Sequence, residues 1–226
     1  MCIRDRDRAG NNWLLTDNGL GMIRPGERQP VNYFVETQGK QDGMNQAFYA
    51  VRECEDDICF TSDRGRIWCY QKKSGEFRLH ELPTKARITS IHAVGNDNTV
   101  VTTDSDGFFL SNLKTNKHIH YSPVTCKELS DQPILSAYVD RTSEVWFEQE
   151  EPGVVVHFNP ATGVVKREQM RVEYSNADRS RPAFHIHEDI HGHVWVHPYG
   201  GGFSYFDRER NCLVPFYDDL GSNNWR

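Results

Sequence analysis

One motif returns five times along this chain, and its period constrains the fold more than any other feature. Gly10-Asn-Asn-Trp13-Leu-Leu-Thr-Asp17-Asn-Gly19 recurs, degraded, as Asp57-Ile-Cys59-Phe-Thr-Ser-Asp63-Arg-Gly65 and as Thr99-Val-Val101-Thr-Thr-Asp104-Ser-Asp-Gly107. Two more copies are Ser143-Glu-Val-Trp146-Phe-Glu and Gly192-His-Val-Trp195-Val-His-Pro-Tyr-Gly-Gly201. The Trp-equivalent positions 13, 59, 101, 146 and 195 lie 46, 42, 45 and 49 residues apart. Self-similarity at roughly 40–50 residues marks a stack of small sheets that bury their faces against one another, as β-propeller blades do. The expected fold class is all-β: a β-propeller of about five four-stranded antiparallel blades, a fragment of a larger propeller.

The last repeat shows how one unit is built. Phe184-His-Ile-His-Glu188 alternates apolar and polar residues, as a half-buried strand does. Asp189-Ile-His-Gly192 is a turn, because Asp hydrogen-bonds its own downstream backbone and Gly tolerates positive φ. His193–His197, Phe203–Phe206 and Cys212–Phe216 complete a meander, with Pro215 suited to an outermost strand. The same reading places strands at Ile134–Val139, Glu144–Phe147, Val154–Phe158 and Val164–Glu168, and at Phe48–Arg52, Ile58–Thr61, Arg66–Tyr70 and Glu76–Leu82. The blade units fall at about 1–35, 46–84, 86–124, 132–170 and 182–218. Residues 219–226 lead into a missing blade, and the N-terminal residues read as starting inside one.

Composition narrows the function classes. The net charge of −6 and the absence of a basic cluster give no electrostatic reason to expect nucleic acid or an anionic membrane. No stretch approaches the roughly 18 apolar residues of a membrane helix, and the first residues lack the apolar core of a secretory signal. The six cysteines match no metal-site or compact disulfide spacing. They read first as small buried hydrophobes, with one disulfide as the alternative in an oxidising compartment.

His187-Glu-Asp189-Ile-His-Gly192-His-Val-Trp195-Val-His-Pro-Tyr-Gly-Gly201-Gly-Phe-Ser-Tyr-Phe206-Asp207 resembles the repeat of the two-component regulator propellers, I-x-E-D-x-x-G-x-L-W-I-G-T-x-x-G-G-L-x-R-F-D. Gly10–Leu20 and Leu220–Arg226 are similar to parts of the same pattern. The central units depart from it: Cys59 and Val101 replace the Trp, and Glu148 and Glu150 replace small residues. The resemblance implies the periplasmic sensor region of a Bacteroidetes-type hybrid histidine kinase, an inner-membrane protein. It implies a glycan fragment or other small ligand, and homodimerisation through the parent protein. The kinase core, the membrane helix and any DNA-binding module would lie outside this segment, which is expected to be non-catalytic. Alternatives are a stand-alone propeller enzyme of the streptogramin-lyase type, suggested by Val145-Trp-Phe-Glu148 before Pro152-Gly153, and a protein-binding propeller scaffold. A sialidase-like hydrolase fits less well, because Asp189 stands three residues before Gly192 rather than two.

The resemblance implies structural roles for Trp13, Gly19, Gly65, Gly107, Trp146, Asp189, Gly192, Trp195 and Gly201. A ligand-facing role falls to His185, His187, His193, His197 and Tyr199, since five of the ten histidines lie between 185 and 197 and alternate residues of a strand share a face. Two imidazoles with Glu188 or Asp189 would suit a transition metal, but Glu188 points away from its flanking histidines. No catalytic residue, metal or cofactor is assigned. Glu144, Glu148, Glu150 and Glu151 read as a solvated strand edge, and Asp63, Asp104 and Asp106 as turn formers.

Overall fold

The computed structural model describes residues 3–17, 19–34, 47–54, 56–95, 97–151, 154–169, 185–197 and 204–216. Among these residues twenty strands form five four-stranded antiparallel sheets, each a meander. The first sheet is β1 (Ile3–Arg6), β2 (Asn12–Thr16), β3 (Gly19–Ile23) and β4 (Val31–Tyr33). The second is β5 (Phe48–Glu53), β6 (Asp57–Ser62), β7 (Arg66–Gln71) and β8 (Phe77–Glu81). The third is β9 (Ile88–Val94), β10 (Asn98–Thr103), β11 (Phe108–Asn112) and β12 (Lys117–Tyr121). The fourth is β13 (Ile134–Val139), β14 (Val145–Gln149), β15 (Val154–Asn159) and β16 (Val164–Gln169). The fifth is β17 (His185–Glu188), β18 (Val194–His197), β19 (Ser204–Asp207) and β20 (Cys212–Pro215). Among the described residues, no helix is long and apolar enough to cross a membrane.

The chain divides into two compact units, residues 1–120 and 121–226. In the first, Trp13, Leu15, Leu20 and Met22 of the first sheet bury against Phe48, Ile58 and Phe60 of the second. The Trp13 ring lies 4.9 Å from Phe60 and 5.2 Å from Tyr70. A second core joins Cys59, Ile67, Cys69 and Leu82 to Ile88, Ile91, Val101 and Phe109. In the second unit, Trp146 and Val155 bury against Val194, Val196 and Phe206. Each such side chain contributes about 1.5–3 kcal/mol by leaving water, so a sheet is held mainly by its neighbour.

Three of the five hairpins between a sheet's first and second strands share one internal clamp. Asp7, Asp140 and Asp189 each accept the indole N–H of the Trp six residues later, Trp13, Trp146 and Trp195, at 2.8, 2.9 and 2.9 Å. The other carboxylate oxygen accepts the backbone N–H four residues on, from Asn11, Glu144 and His193, at 2.9, 3.0 and 2.9 Å. Closing this turn requires a left-handed residue three positions after the Asp. Gly10 (φ 87°), Ser143 (φ 67°) and Gly192 (φ 91°) fill that position. Only the Asp of the last copy was singled out in the sequence; Asp7 and Asp140 hold the same place.

Where the Trp is missing, the Asp is missing too. Cys59 is preceded six residues earlier by Glu53, and Val101 by Gly95. Glu53 turns instead to Lys72, with Oε1 2.7 Å from Nζ. Cys59 and Cys69, directly opposite each other on β6 and β7, form a disulfide. The two residues are buried as the composition suggested, but they are bonded to each other rather than packed as free thiols.

Burial pushes the Asp7 and Asp140 carboxyls up, yet the bonds they accept outweigh it and hold both below the usual range. Those bonds come from Trp13 and Asn11 at Asp7, and from Thr142, Trp146 and Arg208 at Asp140. Asp189 is lowered further, first by the Trp195 indole. Folded values below the unfolded value of about 3.9 stabilise the protein fully above about pH 4, and that contribution is lost as pH falls through the folded values. Asp140→Asn should therefore lower the thermal midpoint at neutral pH while flattening its fall between about pH 5 and pH 2, as read by calorimetry. Trp146→Phe keeps a ring but leaves a buried carboxylate short of one donor. It should cost about 1–3 kcal/mol in denaturant melts, and the same change at the less buried Trp195 should cost less.

Candidate functional site

The turns joining second to third strands in the first unit bring polar side chains together. Their glycines are fixed by space and by backbone. Gly65 has φ 67°, and a Cβ there would meet the Leu82 carbonyl oxygen at 2.9 Å; at Gly19 (φ 131°) it would meet that of Tyr33 at 2.7 Å. Gly107 repeats the left-handed geometry at φ 65°, and its carbonyl accepts the Thr103 hydroxyl at 2.8 Å. These turns aim Asp63, Asp104 and Asp106 back toward the sheets.

Each aspartate then takes a partner from another segment. The Tyr49 hydroxyl donates to Asp63 Oδ2 at 3.0 Å. Arg87 donates its backbone N–H to Asp104 Oδ1 at 3.2 Å, and its Nε lies 3.3 Å from Oδ2. The Arg87 guanidinium sits 5.1 Å from the centre of the Tyr49 ring. Asp106 accepts the Thr84 hydroxyl at 2.6 Å, and His120 Nε2 lies 3.1 Å from its Oδ1. The Arg87 side chain is 47% exposed and Asp104 28%, so the cluster is preorganised yet reachable. Burial, and then the bond to Asp63, push the Tyr49 phenol up. A ring, a guanidinium and carboxylate acceptors side by side suit a polyhydroxylated ligand, whose C–H faces pack on rings and whose hydroxyls pair with charged groups.

Tyr49 and Arg87 went unnoticed in the sequence because they precede their aspartates by 14 and 17 residues. Only sheet register joins such positions. The aspartates form turns, as their places in the sequence predict, and have a second role in the side-chain network.

The histidine run lies on β17, on β18 and in the turn between them. His185 and His197 are cross-strand partners, and His187 is the partner of Trp195. Tyr199 and Gly201 lie outside the described residues, as do the side chains of His185 and His197. His187 is exposed. His193 sits in the turn before β18, with Nδ1 3.0 Å from Asp189 Oδ2, the oxygen that also holds the Trp195 indole. His193 is thus tied into the clamp. Among the described residues, no three His, Cys, Asp or Glu side chains are grouped to hold a metal ion.

A further histidine is buried in the second unit. The His157 ring stacks on Trp146 at 4.6 Å, and its Nδ1 lies 2.6 Å from Glu144 Oε1. Arg208 reaches Asp140 Oδ2 at 2.8 Å and Glu144 Oε2 at 3.7 Å, bridging the fifth sheet to the fourth. Glu144 is therefore an internal partner rather than part of a solvated edge, and Glu151 is likewise paired, with Arg167.

No family model and no curated protein matches this sequence. Solved structures do. The extracellular domain of BT3049 from B. thetaiotaomicron, assigned as a hybrid two-component system, aligns with a TM-score of 0.67 at 18% identity, covering 93% of this chain and 29% of that one. Virginiamycin B lyase from Staphylococcus aureus aligns with a TM-score of 0.67 at 17% identity, covering 94% and 68%. YCF48 bound to D1 peptide aligns with a TM-score of 0.61 at 12% identity, covering 92% and 65%. The class is thus the β-propeller, shared by an extracellular domain, a lyase and a peptide-bound protein. The chain spans less than a third of the BT3049 domain.

Because the Tyr49 hydroxyl donates to the Asp63 carboxylate, Asp63→Asn should move the phenol titration to lower pH. Tyr49→Phe should lower the amplitude of the high-pH transition, to which Tyr33 and Tyr121, also pushed up by burial, still contribute. Absorbance at alkaline pH across the two variants and the wild type checks both.

Proposed function

We propose that this chain is a ligand-sensing propeller segment of a hybrid two-component sensor histidine kinase, non-catalytic in itself and responsive to glycan fragments. The observation that carries this reading is the Tyr49–Asp63–Arg87–Asp104 cluster, whose donors, acceptors and ring match the needs of an uncharged polyhydroxylated ligand better than those of a reaction centre. The likeness to the extracellular domains of B. thetaiotaomicron proteins assigned as two-component systems supports it. The segment would then lie in the periplasm of an inner-membrane parent that dimerises. Binding would bias one arrangement of the paired sensor domains, since a ligand with equal affinity for both shifts nothing.

The likeness to virginiamycin B lyase supports a second reading, a propeller enzyme. One experiment separates the two. The purified chain is titrated calorimetrically with a panel of neutral oligosaccharides and, in parallel, incubated with virginiamycin B under mass spectrometry. Saturable binding of at least one oligosaccharide, weakened about tenfold or more by Arg87→Ala through a lost charged hydrogen bond, is the expected result. Binding that survives both Arg87→Ala and Tyr49→Ala would displace the site. Consumption of virginiamycin B would overturn the non-catalytic reading.

A further inference from the structure

The Tyr49–Asp63–Arg87–Asp104 cluster is assembled from two sheets. Tyr49 stands on β5 and Asp63 in the turn after β6, both of the second sheet. Asp104 stands in the turn after β10 of the third. Arg87 ends the connection between them, residues 82–87. It is tied to Asp104 at both backbone groups: its N–H donates to Asp104 Oδ1, and its carbonyl accepts the Asp104 N–H at 3.1 Å. Those bonds hold Arg87 against the third sheet. They do not fix the gap across which its guanidinium faces the Tyr49 ring, 5.1 Å to the ring centre.

Residues 82–86 span that gap. The Leu82 N–H donates to the Gly65 carbonyl at 2.9 Å, and the Ala86 carbonyl accepts the Gly65 N–H at 3.0 Å. The segment is thus bonded at both ends to the turn that carries Asp63. Thr84 stands between these bonds. Its hydroxyl donates to Asp106 Oδ2 at 2.6 Å and accepts the Ala86 N–H at 3.1 Å. Its Cγ2 lies against the other turn, where a Cβ on Gly65 would meet it at 2.9 Å. Asp106 is itself held in place. Its N–H donates to the Thr103 hydroxyl at 2.9 Å, and His120, stacked on Phe109 at 4.3 Å, brings Nε2 to 3.1 Å from Asp106 Oδ1. Thr84 is therefore wedged between the turn of Asp63 and the turn of Asp104 and Asp106.

We propose that Thr84 is a positioning residue of the candidate site: through its bond to Asp106 it sets the distance between Arg87 and Tyr49 and presents the guanidinium to a ligand ready placed. This rests on reading the cluster as a ligand site. A guanidinium already in position spares the ligand the cost of ordering a long side chain. The position needs a hydroxyl rather than a shape. Valine has the outline of threonine, but it would leave the Asp106 oxygen without its donor and the Ala86 N–H without its acceptor. Serine keeps both bonds.

Tyr49 reports the distance with no ligand present. Burial and the bond to Asp63 push its phenol up, and the Arg87 guanidinium draws it back down. A guanidinium that moves away therefore raises the pH at which Tyr49 ionises. The titration is followed in the folded chain by NMR of isotope-labelled tyrosine, with Tyr49→Phe identifying the signal and Arg87→Gln setting the full displacement. Thr84→Val and Asp106→Ala remove opposite ends of one bond, so either folded variant decides. Each should move the titration upward by about half of the Arg87→Gln displacement or more. Loss of the Asp106 charge by itself acts in the other direction, so an upward move reads geometry. Thr84→Ser should titrate as the wild type. An unmoved titration in Arg87→Gln, or in a folded Thr84→Val or Asp106→Ala chain, would overturn the proposal, as would a Thr84→Ser chain that titrates like Thr84→Val. A neutral oligosaccharide that binds the wild type should bind Thr84→Val about fivefold more weakly, the size of one neutral hydrogen bond. Unchanged affinity there overturns the proposal even where the titration moves. If no neutral oligosaccharide binds, the sensing reading falls, and the Tyr49 titrations still decide the role of Thr84.

Discussion

A carboxylate drawn out of water needs donors in the water's place, and three of the five sheets are organised around supplying them. In the first, fourth and fifth, an Asp in the opening turn holds the turn's own backbone with one oxygen and the indole of the following strand with the other. The indole is thereby fixed in orientation before its ring meets the next sheet. Local turn, strand register and the packing of one sheet on another are set by the same two oxygens. A buried polar group satisfied to this degree rigidifies its surroundings, and left half-satisfied it would weaken them.

This arrangement explains why the repeat is legible and why it fades. The Trp and the left-handed residue are conspicuous, so the period could be read from them alone. The Asp six residues earlier is equally regular, as D-x-x-[G/S]-x-x-W, but a single small acidic residue near a turn attracts no notice by itself. In the second and third sheets the Asp and Trp vanish together, because an indole N–H and a buried carboxylate are each costly without the other. Strand positions in the second sheet survived on alternation and turn residues: β5 begins at Phe48 and β7 at Arg66, where the sequence placed them.

The candidate site was far less legible. Spacing by two put the histidines on shared faces, and the register of β17 with β18 sets residues 185 and 197 opposite each other and 187 opposite Trp195. It said nothing of the competing demand from Asp189, which draws His193 into the turn. Tyr49 with Asp63, and Arg87 with Asp104, are partners only because an antiparallel hairpin folds the start of one strand beside the end of the next. The pairing of Cys59 with Cys69 has the same origin, since a separation of 10 residues fits many geometries and only the β6–β7 register places the two opposite.

The sheets consequently differ in what would loosen them first. The hairpins of the first, fourth and fifth are fastened by ionised carboxylates and so answer to acid. The second is fastened covalently and answers to the electron supply of its surroundings. The third has neither, and its first two strands are cross-linked by hydroxyls, with Thr102 Oγ1 2.6 Å from that of Ser90 and 2.8 Å from that of Thr89. Such neutral bonds shift with neither proton nor electron, so acid reaches the third sheet through the carboxylates at its rim, Asp104 beside Arg87 and Asp106 beside His120, while the seam between its first two strands holds.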